Sequence, residues 1–302
     1  MRESEFLLRI RPYLYEKGGL VRSADEDCAV IAEGQAFRLY TVDALVEDIH
    51  FKWSYFTPYA LGFKLAAVNL SDIAAMGGIP EWALLTLGFP EPPRGDFIEE
   101  FYGGLVEGLS RFGARLVGGD TVRSPVFWAA LFLSGRTENP ILRKGASPGD
   151  LIYVSRSLGA SAAALRYFLS GEKPPEFLRK AHLFPEPEIS LGRLLSEKAL
   201  ASAMMDVSDG LLLDLSKLCR TSEVGAEIEE VPVAPGATEE EALSGGEDYA
   251  LIFTVPKEKE RFLLESVDRP LYRLGKIISQ KGRIYLYGRP VAPEGFDHFE
   301  LG

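Results

Sequence analysis

Residues 58–78, PYALGFKLAAVNLSDIAAMGG, read as a helix closed by a glycine pair, and its apolar stripe can be walked as Leu61, Leu65, Val68, Asp72 and Ala75. The stripe therefore puts a carboxylate on the face that must enter a core. A charge there is costly unless a cation or several hydrogen-bond donors meet it. DVSDGLLLDL, residues 206–215, repeats the pattern: Ser208 or Asp209 suits the start of a helix, which leaves Asp206 without a structural role. Any fold for this chain has to bring something positive to acidic groups set in apolar surroundings.

The rest of the chain alternates helices and strands. Before a turn-rich stretch at 139–150, the pattern predicts a helix near 4–15, a strand at 37–42, the 58–76 helix, a strand at 82–88, a helix at 97–113, and strands at 114–117 and 126–135. After it come a strand at 151–155, helices at 160–169, 188–198 and 209–220, a strand at 250–255, a helix at 257–265 and C-terminal strands. Two α/β domains of mixed sheet packed with helices are expected, 1–138 and 139–302. S-D followed by an acidic glycine motif occurs in both halves, a faint internal echo.

More carboxylates collect at strand ends. Asp43 follows FRLYTV, Gly119-Asp120 follows ARLV, and Asp25-Glu26-Asp27 precedes CAVIA. Each alone reads as a turn former, but ligands gather at the carboxyl ends of strands in open α/β sheets. Gathered like charges need cations, and oxygen-rich sites select Mg²⁺, Mn²⁺ or Ca²⁺. A net charge of -11 repels free ATP but not Mg-ATP, and argues against nucleic acid as partner, since no dense basic run is present. No signal peptide or membrane span is evident, and the two cysteines, Cys28 and Cys219, are too far apart in sequence for a C-x-x-C site, so a reduced, cytoplasmic setting is expected. Cys28, behind an acidic triplet, reads as a protonated, packed residue. P-loop, protein-kinase and Rossmann signatures are missing, and none of the three histidines sits in a hydrolase motif.

DEDCAVI (25–31), TVDALVEDIHF (41–51), NLSDIAAMGGIP (69–80), VGGDTVRS (117–124), DVSDGL (206–211), SGGEDYAL (244–251) and GFDHF (295–299), in this order over nearly the whole chain, resemble the thiamine-monophosphate kinase family. The resemblance implies an aminoimidazole ribonucleotide synthetase-like fold, a homodimer paired through the N-terminal domain, and transfer of a phosphoryl group from ATP to thiamine monophosphate. It implies Mg²⁺ ligands at Asp27, Asp43, Asp72, Asp120, Asp206 and Asp209, with Thr41 and the backbone of Val42 as helpers. Tyr102, Gly119, Asp120, Arg143 and Ser208 would contact the nucleotide, and His50, Glu247 and Phe296 the thiamine side. Asp43, Asp72, Asp120 and Arg143 would carry catalysis.

The family usually has G-D-D, T-T-D and G-W-D where this chain has Asp25-Glu26-Asp27, Thr41-Val42-Asp43 and Gly295-Phe296-Asp297. Glu26 leaves Asp27 available, Val42 keeps a carbonyl, and Phe296 keeps a ring for stacking. The acceptor, a phosphate monoester already ionised at neutral pH, needs no general base, which suits direct in-line attack on the γ-phosphorus. Alternatives are a synthetase of the same fold acting on an amide-type acceptor, or a non-catalytic Mg-ATP-binding module. A selenophosphate synthetase would need a reactive cysteine that Cys28 does not provide.

Overall fold

The computed structural model describes residues 3–14, 20–22, 26–93 and 95–296. Asp25, Asp297 and His298, which belong to sequence blocks named above, lie outside them. In the first half, α1 (Glu3–Ile10), β1 (Leu20–Arg22), β2 (Ala29–Glu33), β3 (Ala36–Val46), α2 (Pro58–Ala75), β4 (Ile79–Phe89), α3 (Gly95–Arg111), β5 (Arg115–Arg123) and β6 (Trp128–Thr137) follow in order. Their strands form a six-stranded sheet, β1-β2-β3-β6-β4-β5. Only β4 and β5 run parallel, joined through α3, as a parallel pair requires a crossover.

The second half contains β7 (Leu151–Val154), α4 (Ala160–Leu169), α5 (Glu176–Leu183), α6 (Ile189–Glu197), β8 (Ala203–Val207), α7 (Leu211–Ser222), β9 (Gly225–Ile228), α8 (Glu239–Ser244), β10 (Ala250–Val255), α9 (Glu260–Ser266), β11 (Tyr272–Ile278), β12 (Ile284–Leu286) and β13 (Arg289–Val291). The strands form a seven-stranded sheet, β13-β12-β9-β11-β7-β10-β8. The two sheets differ in strand number and order, so the sequence echo has no counterpart in their topology.

Helix α2 lies at the junction. One hydrophobic core joins its Leu61, Leu65 and Leu70 to Leu131 of the first sheet and to Met204, Leu251 and Phe253 of the second. It is buried all round rather than along one stripe: Lys64, Asn69 and Ser71 are buried as deeply as its leucines. This corrects the sequence picture, in which one apolar face alone met the core. Thr57 caps its first turn by accepting from the Ala60 N–H at 3.2 Å, and Pro58 suits the first helical position. Against α3 it packs backbone to backbone: a Cβ added at Gly62 would stand 2.1 Å from the Phe101 carbonyl, and one at Gly104 1.9 Å from that of Tyr59.

Several elements run past their predicted ends. β3 continues to Val46, so Asp43 lies within the strand rather than after it, with Thr41, Asp43 and Leu45 on one face and Val42 and Ala44 on the other. β5 continues to Arg123 through Gly119 and Asp120, because β4 supplies a parallel partner along that whole length. α1 is shorter than predicted and ends in a 3-10 turn at Pro12. α7 begins at Leu211, and neither Ser208 nor Asp209 caps it. Asp214, from inside the helix, accepts instead from the N–H groups of Ser208, Asp209 and Gly210 at 3.0, 2.9 and 3.2 Å. Strands β8 and β9 and helices α5 and α8 carried no sequence expectation.

Candidate active site

The buried carboxylates meet at the junction of the two sheets. Asp27 precedes β2, Asp72 lies in the last turn of α2, and Asp206 lies in β8; one oxygen of each falls within 4.8 Å of the others. Asp43 adds its charge from β3, pushing the Asp72 carboxyl up. Ordinary side chains set this arrangement. Asn69 donates to the Leu65 carbonyl at 2.9 Å and accepts from the Asp43 N–H at 3.0 Å, locking α2 to β3. Ser71 donates to Asp206 at 2.6 Å, and Thr41 donates to Asp72.

Electrostatically the cluster is under-compensated. Burial, then Asp43, Asp206 and Asp27, hold the Asp72 carboxyl well above the usual range against the opposing Thr41 hydrogen bond. Burial, followed by Asp27, does the same to Asp206 despite Ser71. The Cys28 thiol beside them is pushed up by burial and by Asp72, Asp27, Asp206 and Asp43, which keeps it protonated, as expected for a packed residue. Arg143 is the cation at hand: its guanidinium lies 2.5 Å from Asp27 Oδ1. Burial works against its charge, but Asp27 more than restores it. The other Asp27 oxygen is buried with no hydrogen-bond partner, the mark expected of a ligand atom aimed at a cation. Hard oxygen donors with neither thiolate nor imidazole among them fit Mg²⁺.

Around this centre, Ser208 and Asp209 lie on the loop between β8 and α7. Asp209 is engaged by Lys217 at 2.5 Å, and Lys217 also reaches Asp214 at 2.8 Å. Burial lifts the Asp214 carboxyl to about 6 although Lys217 opposes it. Phe296 donates its N–H to the Asp209 carbonyl at 2.9 Å, which ties its backbone to the same loop, and its side chain is exposed. Glu247 donates its N–H to the Ser208 carbonyl at 2.7 Å. His50 accepts from the Val46 N–H at 3.0 Å on Nδ1 and lies within electrostatic reach of Glu247. Ser208, Asp209, His50, Glu247 and Phe296 thus lie around one loop, that between β8 and α7.

Other predicted site residues are not brought there. Asp120 pairs in register with Thr86 on the edge strand β5, whereas Asp43 shares a row with Leu131, Leu85 and Gly119. Asp120 therefore stands on the face opposite Asp43, three strands away, about 14 Å at ~4.8 Å per strand. Its own carboxylate accepts from the Thr121 N–H at 2.8 Å. Gly119 has a packing reason of its own, since a Cβ there would fall 1.8 Å from the Leu85 carbonyl. The Val42 side chain is exposed on that outer face too. Tyr102 on α3 sits level with Gly62, ten residues before Asp72, or roughly 15 Å along the helix axis. Sequence reasoning missed Lys64, His182 and Lys217, since single Lys and His residues in amphipathic patterns read as solvated.

Comparison with known proteins follows the same outline. The AIR synthase related protein N-terminal domain matches residues 25–137 and the corresponding C-terminal domain residues 147–286. Thiamine-monophosphate kinase of Haemophilus influenzae is 36% identical over 305 residues, covering 92% of each chain. That of Aquifex aeolicus is 36% identical over 277 residues, covering 86% of this chain and 88% of its own. The solved structure of AaThiL complexed with AMPPCP and TMP superimposes with a TM-score of 0.88 at 33% identity, covering 99% of this chain and 97% of that one.

Proposed function

Because this chain belongs to the thiamine-monophosphate kinase family, with the AIR synthase-like fold in both halves, we propose that this site transfers the γ-phosphoryl group of ATP in line to thiamine monophosphate, giving thiamine diphosphate and ADP. The observation that carries this reading is the buried Asp27, Asp72 and Asp206 cluster with an unpartnered Asp27 oxygen, beside Arg143. Asp27, Asp43, Asp72 and Asp206 would hold Mg²⁺, with Asp209 at the margin. Bound there, the metal supplies charge neutralisation at the triphosphate and acceptor oxygens.

The chain's own residues supply the rest. Thr41 and Ser71 orient Asp72 and Asp206, and Asn69 fixes the β3 backbone at Asp43. Arg143 offers a guanidinium that suits phosphate oxygens. Ser208 takes the nucleotide side of the loop, while Glu247, His50 and Phe296 take the thiamine side. No side chain is needed as a general base, because the attacking phosphate oxygen is already ionised.

We also propose that two copies pair through the outer face of the six-stranded sheet. Val42, Trp82, Leu84, Val117 and Val122 are exposed on its strands. Asp120 lies among them, so its predicted metal contact would be completed across this interface rather than within one protomer, whereas Gly119 faces inward with Asp43 and Tyr102 stands on α3, against the core.

The test is phosphorus NMR of the protein with MgATP and thiamine monophosphate. Diphosphate signals from thiamine diphosphate and ADP should appear, and vanish when EDTA is added or thiamine monophosphate is omitted. ATP binding without transfer would reject the acceptor and turn attention to amide-type substrates.

A further inference from the structure

A second buried charge lies outside the phosphoryl-transfer centre. Lys64, in the middle of α2, is completely buried, with its Nζ 2.7 Å from Glu247 Oε1 and 5.4 Å from the centre of the Phe56 ring. The other Glu247 oxygen lies 3.4 Å from His182 Nδ1, which itself is 2.9 Å from the Ser161 hydroxyl. Elements α2, α4 and α5 thus converge on one carboxylate of the loop between α8 and β10. That loop is constrained as well: Glu247 has φ 66°, in the left-handed region that non-glycine residues seldom adopt, and its N–H is tied to Ser208.

The exposure of this network is one-sided. Lys64 and His182 are 0% and 1% exposed, while a quarter of the Glu247 side chain remains open. Stacked Tyr55 and Phe168, with ring centroids 4.6 Å apart, flank His182 together with Phe56. A lysine buried only to join two domains could be replaced by apolar packing at little cost. What an apolar contact cannot provide is a fixed, partly exposed anion beside aromatic rings.

We infer that Lys64 and His182 are positioning residues that hold the Glu247 carboxylate in one orientation to receive the cationic, hydrogen-bond-donating ring portion of the acceptor. This rests on the reading of Glu247 as a thiamine-side residue. Burial alone would push the Glu247 carboxyl up; the ammonium of Lys64 beside it, the largest opposing influence, holds it below its usual value instead. Burial lowers His182 to about 3, so at neutral pH its ring is uncharged and the ammonium of Lys64 carries the compensation. Tyr55 and Tyr249 also face this carboxylate, and both stay protonated.

Steady-state kinetics on Lys64→Met, Glu247→Gln and the double variant test the inference, varying thiamine monophosphate at saturating MgATP and the reverse. Lys64→Met should raise KM for thiamine monophosphate about tenfold or more and leave KM for MgATP within about twofold. Because Lys64 acts through Glu247, the double variant should lose no more than Glu247→Gln alone. A folded Lys64→Met protein with wild-type KM, or losses that add in the double variant, overturns the inference. Should Lys64→Met fail to fold, His182→Phe carries the test: KM for thiamine monophosphate rises severalfold and His182→Gln restores it, whereas an unmoved KM overturns the inference. Wild-type protein that makes no ADP in response to thiamine monophosphate removes the underlying reading and this inference with it; wild-type turnover with unmoved variants removes the inference alone.

Discussion

Asp72 joins stability to catalysis with opposite signs. Its carboxyl is buried against Asp43, Asp206 and Asp27, so an amide in its place relieves repulsion in the metal-free protein while deleting a ligand. Asp72→Asn should therefore melt no lower than wild type in metal-free buffer, yet lose about 100-fold or more in kcat. A variant with near-normal turnover would reject the mechanism. His182 makes a prediction about pH. Its pKa is lowered to about 3, so between the ordinary histidine value of 6.5 and that figure the unfolded state binds a proton the folded state does not. The stability it allows is complete above pH 6.5 and falls as pH drops toward 3, by at most about 1.4 kcal/mol per pH unit. Denaturant titrations at pH 7, 6 and 5 should show this extra acid sensitivity in wild type and not in His182→Gln; parallel slopes would contradict it.

The element that organises the molecule is α2, which meets both sheets and presents Lys64, Asn69, Ser71 and Asp72 to three different neighbours. Its close approach to α3 depends on glycines, so Gly104→Ala should cost about 1–3 kcal/mol through overpacking against the Tyr59 carbonyl, measured by urea unfolding with an unchanged m-value. An unaltered midpoint would mean that the helices move apart freely. Here too lies the difference between what the sequence discloses and what it withholds. Asp72 and Asp206 are conspicuous in sequence because charge interrupts an apolar pattern. Lys64 is not, since a helical lysine ordinarily reaches solvent, and the carboxylate that meets it here, Glu247, lies 183 positions further along the chain. Asp43 was recognisable as a site residue, but its place inside β3 depends on pairing with β6, which local pattern does not encode. For Asp120 the motif stood out, while the face it occupies follows only from the register with β4.

At the scale of the whole molecule, the outer sheet face forecasts the oligomer. Light scattering after size exclusion should give twice 33.3 kDa, and Trp82→Arg should halve it without loss of secondary structure. A wild-type chain that runs as a monomer at micromolar concentration would dismiss the proposed pairing. The α/β fold was accessible in advance because strands and helices alternate clearly on both sides of the 139–150 stretch, but the seam between the sheets was not. The connection itself is anchored: the Arg143 N–H donates to Glu26 at 2.7 Å, and Ser222 donates to the Arg143 carbonyl at 2.8 Å while accepting from Gly145 and Ala146. Protein engineers would normally pick such a loop to split a chain into two reporter fragments or to open new termini by circular permutation. Here the cut would release Arg143, and with it the only guanidinium held against Asp27 among the described residues, so fragments that reassemble perfectly as folds would still reassemble as a weakened enzyme.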